Sequence, residues 1–147
     1  MKISKQIAAI AAAGLALTLA ACGGGAAETT SAATSGAADP GDMTIAVSMP
    51  TQTSERWIAD GNAVKAGFEE KGYKVDLQFA NDDIPTQQQQ IDQMITQGAD
   101  LLIIGAIDGT ALANQLQTAA DAGIKVISYD RLIRDTENIS YYVTFDN

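Results

Sequence analysis

Residues 98–110 read GADLLIIGAIDGT, and the four apolar residues at their centre decide the fold class. Leucine and isoleucine fill residues 101–104 without a polar interruption, which is typical of a β-strand covered on both faces. Gly98, just before this run, can adopt the left-handed conformation that commonly ends a helix. The stretch therefore predicts the end of a helix, a short connection and a buried parallel strand.

The same unit recurs on both sides of this strand. Gly72, Gly98 and Gly123 are spaced 26 and 25 residues apart, which is about the length of one helix and one strand. Between these glycines, apolar residues recur at intervals of three and four, as on one face of a helix. Pro85, after two aspartates, is typical of a capped first helical turn. The predicted helix faces consist of Trp57, Gly61, Val64 and Phe68, of Ile84, Gln88, Ile91 and Ile95, and of Leu112, Leu116 and Ala119.

Alternating strands and helices with short links predict an α/β fold. We expect a doubly wound parallel sheet with flanking helices and right-handed connections. The predicted strands cover residues 44–48, 73–79, 101–104, 124–129 and 141–145. Ligands of such sheets bind beyond the carboxyl ends of the strands. The candidate loops therefore begin at Met49, Ala80, Gly105 and Asp130.

The N-terminus has the pattern of an export signal. Residues 1–5 are short and basic, and residues 7–21 are almost entirely apolar. A membrane span is an alternative but needs about 20 apolar residues, and a buried helix is unfavourable before a run of three glycines. Cys22, the only cysteine, lies in LAACG, which resembles the bacterial lipobox. We therefore predict a lipoprotein signal peptide at 1–21, a lipidated Cys22 and an extracytoplasmic protein anchored to the cell membrane.

The remainder divides into a tether and one folded domain. Residues 22–42 are small and polar, and are predicted to form a flexible tether because they cannot bury enough surface to fold. Residues 43–147 are predicted to form the domain. Without Lys2 and Lys5, the net charge falls from −9 to −11. We expect no nucleic-acid partner because such a surface repels nucleic acid.

Composition also excludes several kinds of chemistry. The chain has no histidine, the commonest general base and metal ligand, and a lipidated Cys22 leaves no thiolate. Asp108-Gly109-Thr110 matches part of the D-x-D-G-T phosphatase signature, but Ala106 stands where the nucleophilic carboxylate belongs. Phosphate-binding glycine motifs are absent as well. We therefore predict a protein that is not an enzyme, with no cofactor and no metal.

Two of the candidate loops carry groups suited to sugar hydroxyls. Arg56 and Trp57 follow the first strand, and Asp130 and Arg131 follow the fourth. Charged partners give strong hydrogen bonds to hydroxyls, and an indole can cover the apolar face of a pyranose. Two alternatives remain open: Trp57 packs in the core of its helix, and Asp130 and Arg131 form a surface ion pair.

Four segments carry a resemblance to a known family. Residues 49–61, MPTQTSERWIADG, resemble the first binding loop of periplasmic sugar-binding proteins of the ribose, arabinose and xylose type. Residues 81–85, 106–110 and 129–133 resemble other segments of the same family. The similarity is greatest to the xylose and multiple-monosaccharide binding proteins of ABC importers. It implies a type I periplasmic binding protein fold, with Arg56, Trp57, Asp130 and Arg131 at ligand-contacting positions. For Asp108, we expect a helix N-cap.

The resemblance covers one lobe of a family with two. The chain stops at Asn147, where the family backbone crosses into the second lobe, so we expect the N-terminal lobe only, from a fragment or a truncated gene. The implied function is to bind an aldopentose or aldohexose and deliver it to an ABC permease. The alternatives are a receptor that feeds a chemoreceptor or sensor kinase, and the sensing domain of a sugar-responsive repressor. The repressor would need a DNA-binding motif in place of the predicted lipobox.

Overall fold

The computed structural model describes residues 39–145. The predicted signal peptide, Cys22 and most of the tether lie outside the described residues. Five strands and three α-helices follow one another in the predicted order. They are β1 (Thr44–Met49), α1 (Glu55–Glu69), β2 (Lys74–Phe79), α2 (Ile84–Thr96), β3 (Leu101–Ile104), α3 (Ala113–Asp121), β4 (Lys125–Tyr129) and β5 (Tyr141–Val143).

The residues just before the predicted boundary at Met43 have a defined local structure. Pro40–Asp42 form a 3-10 helix, and the Asp39 carboxylate accepts a hydrogen bond of 2.9 Å from the Gly41 N–H. An aspartate cap followed by proline favours such a turn, because proline already has a helical φ. The last residues of the segment assigned to the tether therefore form a local turn next to β1.

The predicted parallel sheet is confirmed. Its strands lie in the order β2-β1-β3-β4-β5, and every neighbouring pair is parallel. Strand order reverses between β1 and β3, where the chain passes from one side of the sheet to the other. The loops that follow these two strands diverge, which leaves a crevice at the carboxyl edge.

Helices cover both faces of the sheet, and each face has its own core. Helix α1 packs on Ile45, Val47 and Ile103 through Trp57, Val64 and Phe68. Helices α2 and α3 pack on the opposite face, which carries Ala46, Leu102, Ile104 and Val126. Leu102 and Ile104 are completely buried and Ile103 is nearly so, as predicted for a strand covered on both faces.

The predicted helix-ending glycines are confirmed. Gly72, Gly98 and Gly123 have φ values of +91°, +84° and +77°. The predicted cap of α2 is also present, because Asp83 accepts a hydrogen bond of 2.8 Å from the Thr86 N–H and Pro85 lies in the first turn. Among residues 39–145, no helix is both long and apolar enough to span a membrane.

Candidate functional site

The first side chain of the site, Trp57, lies in the first turn of α1, at the crevice between β1 and β3. Its indole packs against Gly105, where a Cβ atom would lie 3.2 Å from Trp57 Cζ3. A side chain at this position would press on the ring, so glycine favours the close approach. Trp57 is only 5% exposed and belongs to the α1 core. The alternative in which this residue packs in the core is supported.

Arg56 and Asp130 form an ion pair across the carboxyl edge. Arg56 Nη2 lies 2.6 Å from Asp130 Oδ1, and the two side chains are 42% and 14% exposed. The hydrogen bond to Asp130 raises the pKa of Arg56 above its usual value, so the guanidinium stays charged. Asp60, one turn along α1, lies 3.4 Å from Arg56 Nε. The guanidinium therefore joins α1 to the end of β4.

Arg131 turns away from Asp130 and reaches the loop after β3. Its Nη1 donates to the carbonyls of Ala106 and Ile107, at 3.0 and 3.3 Å. The alternative of an ion pair between Asp130 and Arg131 is wrong, because the carboxylate pairs with Arg56. Adjacent residues diverge here because Asp130 has a φ of +63°, a left-handed conformation that aspartate tolerates better than most residues.

The two guanidinium groups meet at Trp57. Arg56 Cζ lies 4.7 Å from the centre of the indole and Arg131 Cζ lies 5.2 Å from it. Both distances are within the range of cation–π attraction. Arg56 also lies 4.7 Å from the ring of Phe145. All four predicted site residues are therefore in one cluster, in which Trp57 supports both arginines.

A buried serine shapes the loop that carries Asp130 and Arg131. Ser128 Oγ donates to the Arg131 carbonyl at 2.7 Å and accepts from the Ile133 N–H at 3.0 Å. The Asp130 N–H donates to the Val143 carbonyl at 2.7 Å. The backbone on both sides of these site residues is therefore held by hydrogen bonds to the sheet.

We expected Asp108 to be the N-cap of α3, and this prediction is wrong. Its Oδ1 accepts from the N–H and the hydroxyl of Thr110, at 2.7 and 2.8 Å, whereas α3 begins at Ala113 with Leu112 as N-cap. Aspartate commonly closes such a local turn. Both hydrogen bonds from Thr110 lower the pKa of the Asp108 carboxyl, and the one from the backbone N–H has the larger effect. The carboxylate therefore stabilises the turn that precedes the helix.

Sequence reasoning missed one buried polar residue beside the site. Gln87 is 1% exposed, and its side-chain amide bonds to the ends of β1 and β3. In the sequence it is one of four consecutive glutamines in an amphipathic helix, and the predicted face contained Gln88 instead. By residue type alone, the sequence does not distinguish Gln87 from the three glutamines that follow it.

The cluster offers both hydrogen-bond donors and a hydrogen-bond acceptor. Guanidinium groups donate only, and the carboxylate accepts only. A polyhydroxylated ligand can use both, since each hydroxyl donates and accepts. In the part of the chain that the structure describes, no group of three or more acidic or cysteine side chains has the arrangement of a metal site.

The chain was compared with known proteins. A family model described as a periplasmic binding protein domain matches residues 45–147. The multiple sugar-binding periplasmic protein SbpA of Azospirillum brasilense is 56% identical over 104 residues, covering 71% of this chain and 29% of that protein. The multiple sugar-binding periplasmic receptor ChvE of Rhizobium radiobacter is 54% identical over 111 residues, covering 76% and 31%.

Solved structures give the same result. An ABC transporter solute-binding protein from Clostridium phytofermentans with bound β-D-glucose matches with a TM-score of 0.69 and 45% identity, covering 70% of this chain and 32% of that one. A carbohydrate transporter solute-binding protein from Chloroflexus aurantiacus in complex with D-glucose matches with a TM-score of 0.65 and 39% identity, covering 69% and 30%.

These matches confirm the resemblance seen in the binding-loop segments. The chain spans about a third of the length of the curated relatives it matches. Its parallel sheet, its carboxyl-edge cluster and the match over residues 45–147 lead to one conclusion. The chain belongs to the periplasmic binding protein domain family.

Proposed function

We propose that this chain supplies one wall of a binding site for a monosaccharide, an aldopentose or aldohexose. The observation that carries the proposal is the cluster of Arg56, Asp130 and Arg131 at the carboxyl edge of the sheet. A sugar hydroxyl can accept from either guanidinium and donate to the carboxylate. The sugars named for the relatives and for the solved complexes support the same ligand class.

Each cluster residue has its own part in this proposal. The Arg56 side chain is more exposed than that of Asp130, so a sugar hydroxyl can reach the guanidinium without displacing Asp130. Asp130 holds Arg56 and keeps a second carboxylate oxygen for the sugar. Trp57 is almost fully buried, so its indole supports the arginines more than it covers the sugar.

The wider role follows the relatives. In this role, the protein closes a cleft on the sugar by hinge motion, and an ABC permease recognises the closed state. The second candidate is a receptor that feeds a sensor kinase or chemoreceptor, favoured by the word "receptor" in the name of the relative from Rhizobium radiobacter. Co-purification with a permease or with a receptor distinguishes these roles.

The sugar site can be tested through Trp57, the only tryptophan in the chain. A ¹⁵N-labelled full chain shows one indole N–H signal by NMR. We expect titration with D-xylose, D-glucose, D-galactose or L-arabinose to shift it, and titration with glycine to leave it in place. No shift with any of these sugars contradicts the proposal.

The Asp130→Asn variant tests the role of the Asp130 carboxylate in sugar binding. Loss of the carboxylate removes a charge-assisted bond and leaves Arg56 without its partner, so we expect sugar binding to weaken by about 2 kcal/mol, roughly thirtyfold. Glu69→Gln is the matched control, because Glu69 forms an equally short but exposed ion pair with Lys65 on the same helix. Equal affinities for Asp130→Asn and wild type exclude Asp130 from the site.

Membrane anchoring is a separate part of the proposal. Cys22 lies outside the described residues, and its sequence context supports lipidation after removal of residues 1–21. Labelled fatty acid should enter the wild-type protein, and Cys22→Ser should move the protein to the soluble fraction. Unchanged membrane retention of this variant contradicts the anchor.

A further inference from the structure

Gln87 makes three hydrogen bonds through one buried side-chain amide. Its Nε2 donates to Ser48 Oγ at 3.1 Å and to the Gly105 carbonyl at 3.0 Å. Its Oε1 accepts from the Ile107 N–H at 2.9 Å. Ser48 is completely buried at the end of β1. One side chain of α2 therefore joins the carboxyl ends of the two strands that flank the crevice.

The partners of Gln87 fix the orientation of its amide. The Ile107 N–H can only donate and the Gly105 carbonyl can only accept. Exchanging the amide nitrogen and oxygen would oppose donor to donor and acceptor to acceptor at both positions. The bonding pattern is therefore compatible with one orientation only.

The peptide unit between Ala106 and Ile107 links Gln87 to Arg131. Its N–H donates to Gln87, and its carbonyl, which belongs to Ala106, accepts from Arg131 Nη1 at 3.0 Å. A trans peptide is planar, and its N–H and C=O point in opposite directions. Fixing the N–H on Gln87 therefore aims the carbonyl at Arg131.

We propose that Gln87 is a positioning residue for Arg131. It acts through the Ala106–Ile107 peptide unit and contacts no ligand itself. Without its acceptor, this peptide can rotate, and Arg131 loses the shorter of the two carbonyl hydrogen bonds that hold it beside Trp57. The consequence for sugar affinity rests on the proposed function, whereas the position of Arg131 can be measured without any sugar.

Trp57 reports the position of Arg131. It is the only tryptophan, and Arg131 Cζ lies 5.2 Å from its ring centre. We suggest measuring the emission maximum and acrylamide quenching of the full chain for wild type, Gln87→Met, Arg131→Ala and the double variant. Gln90→Met is the matched control, because Gln90 lies on the same helix and donates to the Phe79 carbonyl at 3.1 Å, away from the Ala106–Ile107 peptide.

Coupling between the effects of the Gln87 and Arg131 substitutions shows whether Gln87 positions Arg131. We expect Gln87→Met to shift the Trp57 signal in the wild-type background and to add nothing in the Arg131→Ala background, since both changes release the same guanidinium. Gln90→Met should leave the signal unchanged. An equal shift in both backgrounds, or no shift in either, overturns the proposal.

A second variant covers the case in which Gln87→Met does not fold. Gln87→Asn keeps the amide but is one methylene too short to reach Ile107, and the same shift is expected. Sugar affinity should fall about tenfold in both Gln87 variants and stay unchanged in Gln90→Met. If no variant and no wild type binds sugar, the proposed function fails, while the fluorescence cycle still decides the role of Gln87.

Discussion

Left-handed backbone at the ends of strands is what directs the site side chains. In the described residues 39–145, the non-glycine residues with positive φ are Asn81, Asp82, Asp130 and Asp135. Asparagine and aspartate tolerate this conformation because their short polar side chains can bond locally. At Asp130, the left-handed turn sends one side chain to α1 and the next to the loop after β3. Two adjacent residues thereby serve two different partners.

Position in the sequence explains which site residues could be predicted. Arg56, Asp130 and Arg131 follow strands, so the rule that ligands bind at carboxyl ends identified them. The pairing of Arg56 with Asp130 could not be predicted, because it joins residues that are far apart in the chain. Gln87 was missed because a glutamine in an amphipathic helix is usually on the surface, and only tertiary packing shows it to be buried.

Tyr129 provides a prediction at the scale of one residue. Burial, and then the charge of Asp60, raise the pKa of the Tyr129 hydroxyl. The folded state therefore holds this proton at a pH where the unfolded chain, with a tyrosine pKa of about 10, releases it. This contribution to stability is present below about pH 10 and is lost as the pH rises through the folded pKa.

We therefore expect wild type to lose more stability than Tyr129→Phe between pH 9 and pH 11. Urea unfolding at the two pH values gives the difference in free energy of unfolding for each protein. The remaining tyrosines and lysines are common to both proteins and cancel in the comparison. Parallel pH dependence of the two would mean that Tyr129 ionises equally in the folded and unfolded states.

At the scale of the element, the helix ends and the buried faces of α1 and α3 agree with the sequence pattern, whereas the face of α2 does not. The glycines that end the helices were predicted because their backbone conformation is local. For α2, the predicted face of Ile84, Gln88, Ile91 and Ile95 was partly wrong. The buried residues are Gln87, Ile91 and Met94. Hydrophobic periodicity cannot place a buried glutamine, so the predicted face was rotated.

Helix α1 contains two glycines with opposite surroundings, which gives a prediction at this scale. At Gly61, a Cβ atom would lie 3.1 Å from Phe79 Cζ and 3.2 Å from Leu77 Cδ1. At Gly67, a Cβ atom would meet nothing within 4 Å. The first glycine allows α1 to approach β2, whereas the second has no packing role and lowers helix propensity.

We expect Gly61→Val to destabilise the protein by about 1–3 kcal/mol through overpacking. Gly67→Ala should stabilise it by about 0.5–1 kcal/mol, because alanine is the better helix former. Thermal and urea unfolding of both variants measure these changes. A destabilised Gly67→Ala, or a Gly61→Val as stable as wild type, would mean that the spacing of α1 from the sheet differs from that described.

At the scale of the whole molecule, alternation of elements predicted a parallel sheet but could not give its strand order. The order β2-β1-β3-β4-β5 depends on which way the chain turns after β2. The last strand, β5, has large side chains exposed to solvent. Tyr141, Tyr142 and Val143 are 67%, 46% and 46% exposed, and β5 has no strand partner on its outer side within residues 39–145. Such an edge favours self-association at high concentration.

The same openness at the candidate site leads to the last prediction. Small ligands are usually 70–90% buried when bound, whereas Arg56, at the centre of the cluster, is 42% exposed. A sugar bound as proposed would therefore be contacted by the described residues from one side, and each of its hydroxyls would still compete with water. If half the contacts of a micromolar site of about −8 kcal/mol are made, about −4 kcal/mol remains, which is millimolar affinity.

We therefore expect the 147-residue chain to bind D-xylose and D-glucose with a millimolar Kd. NMR titration measures this, with dilution series to separate binding from self-association. Low-micromolar binding by a monomer would show that one wall suffices, and that cleft closure contributes little to affinity.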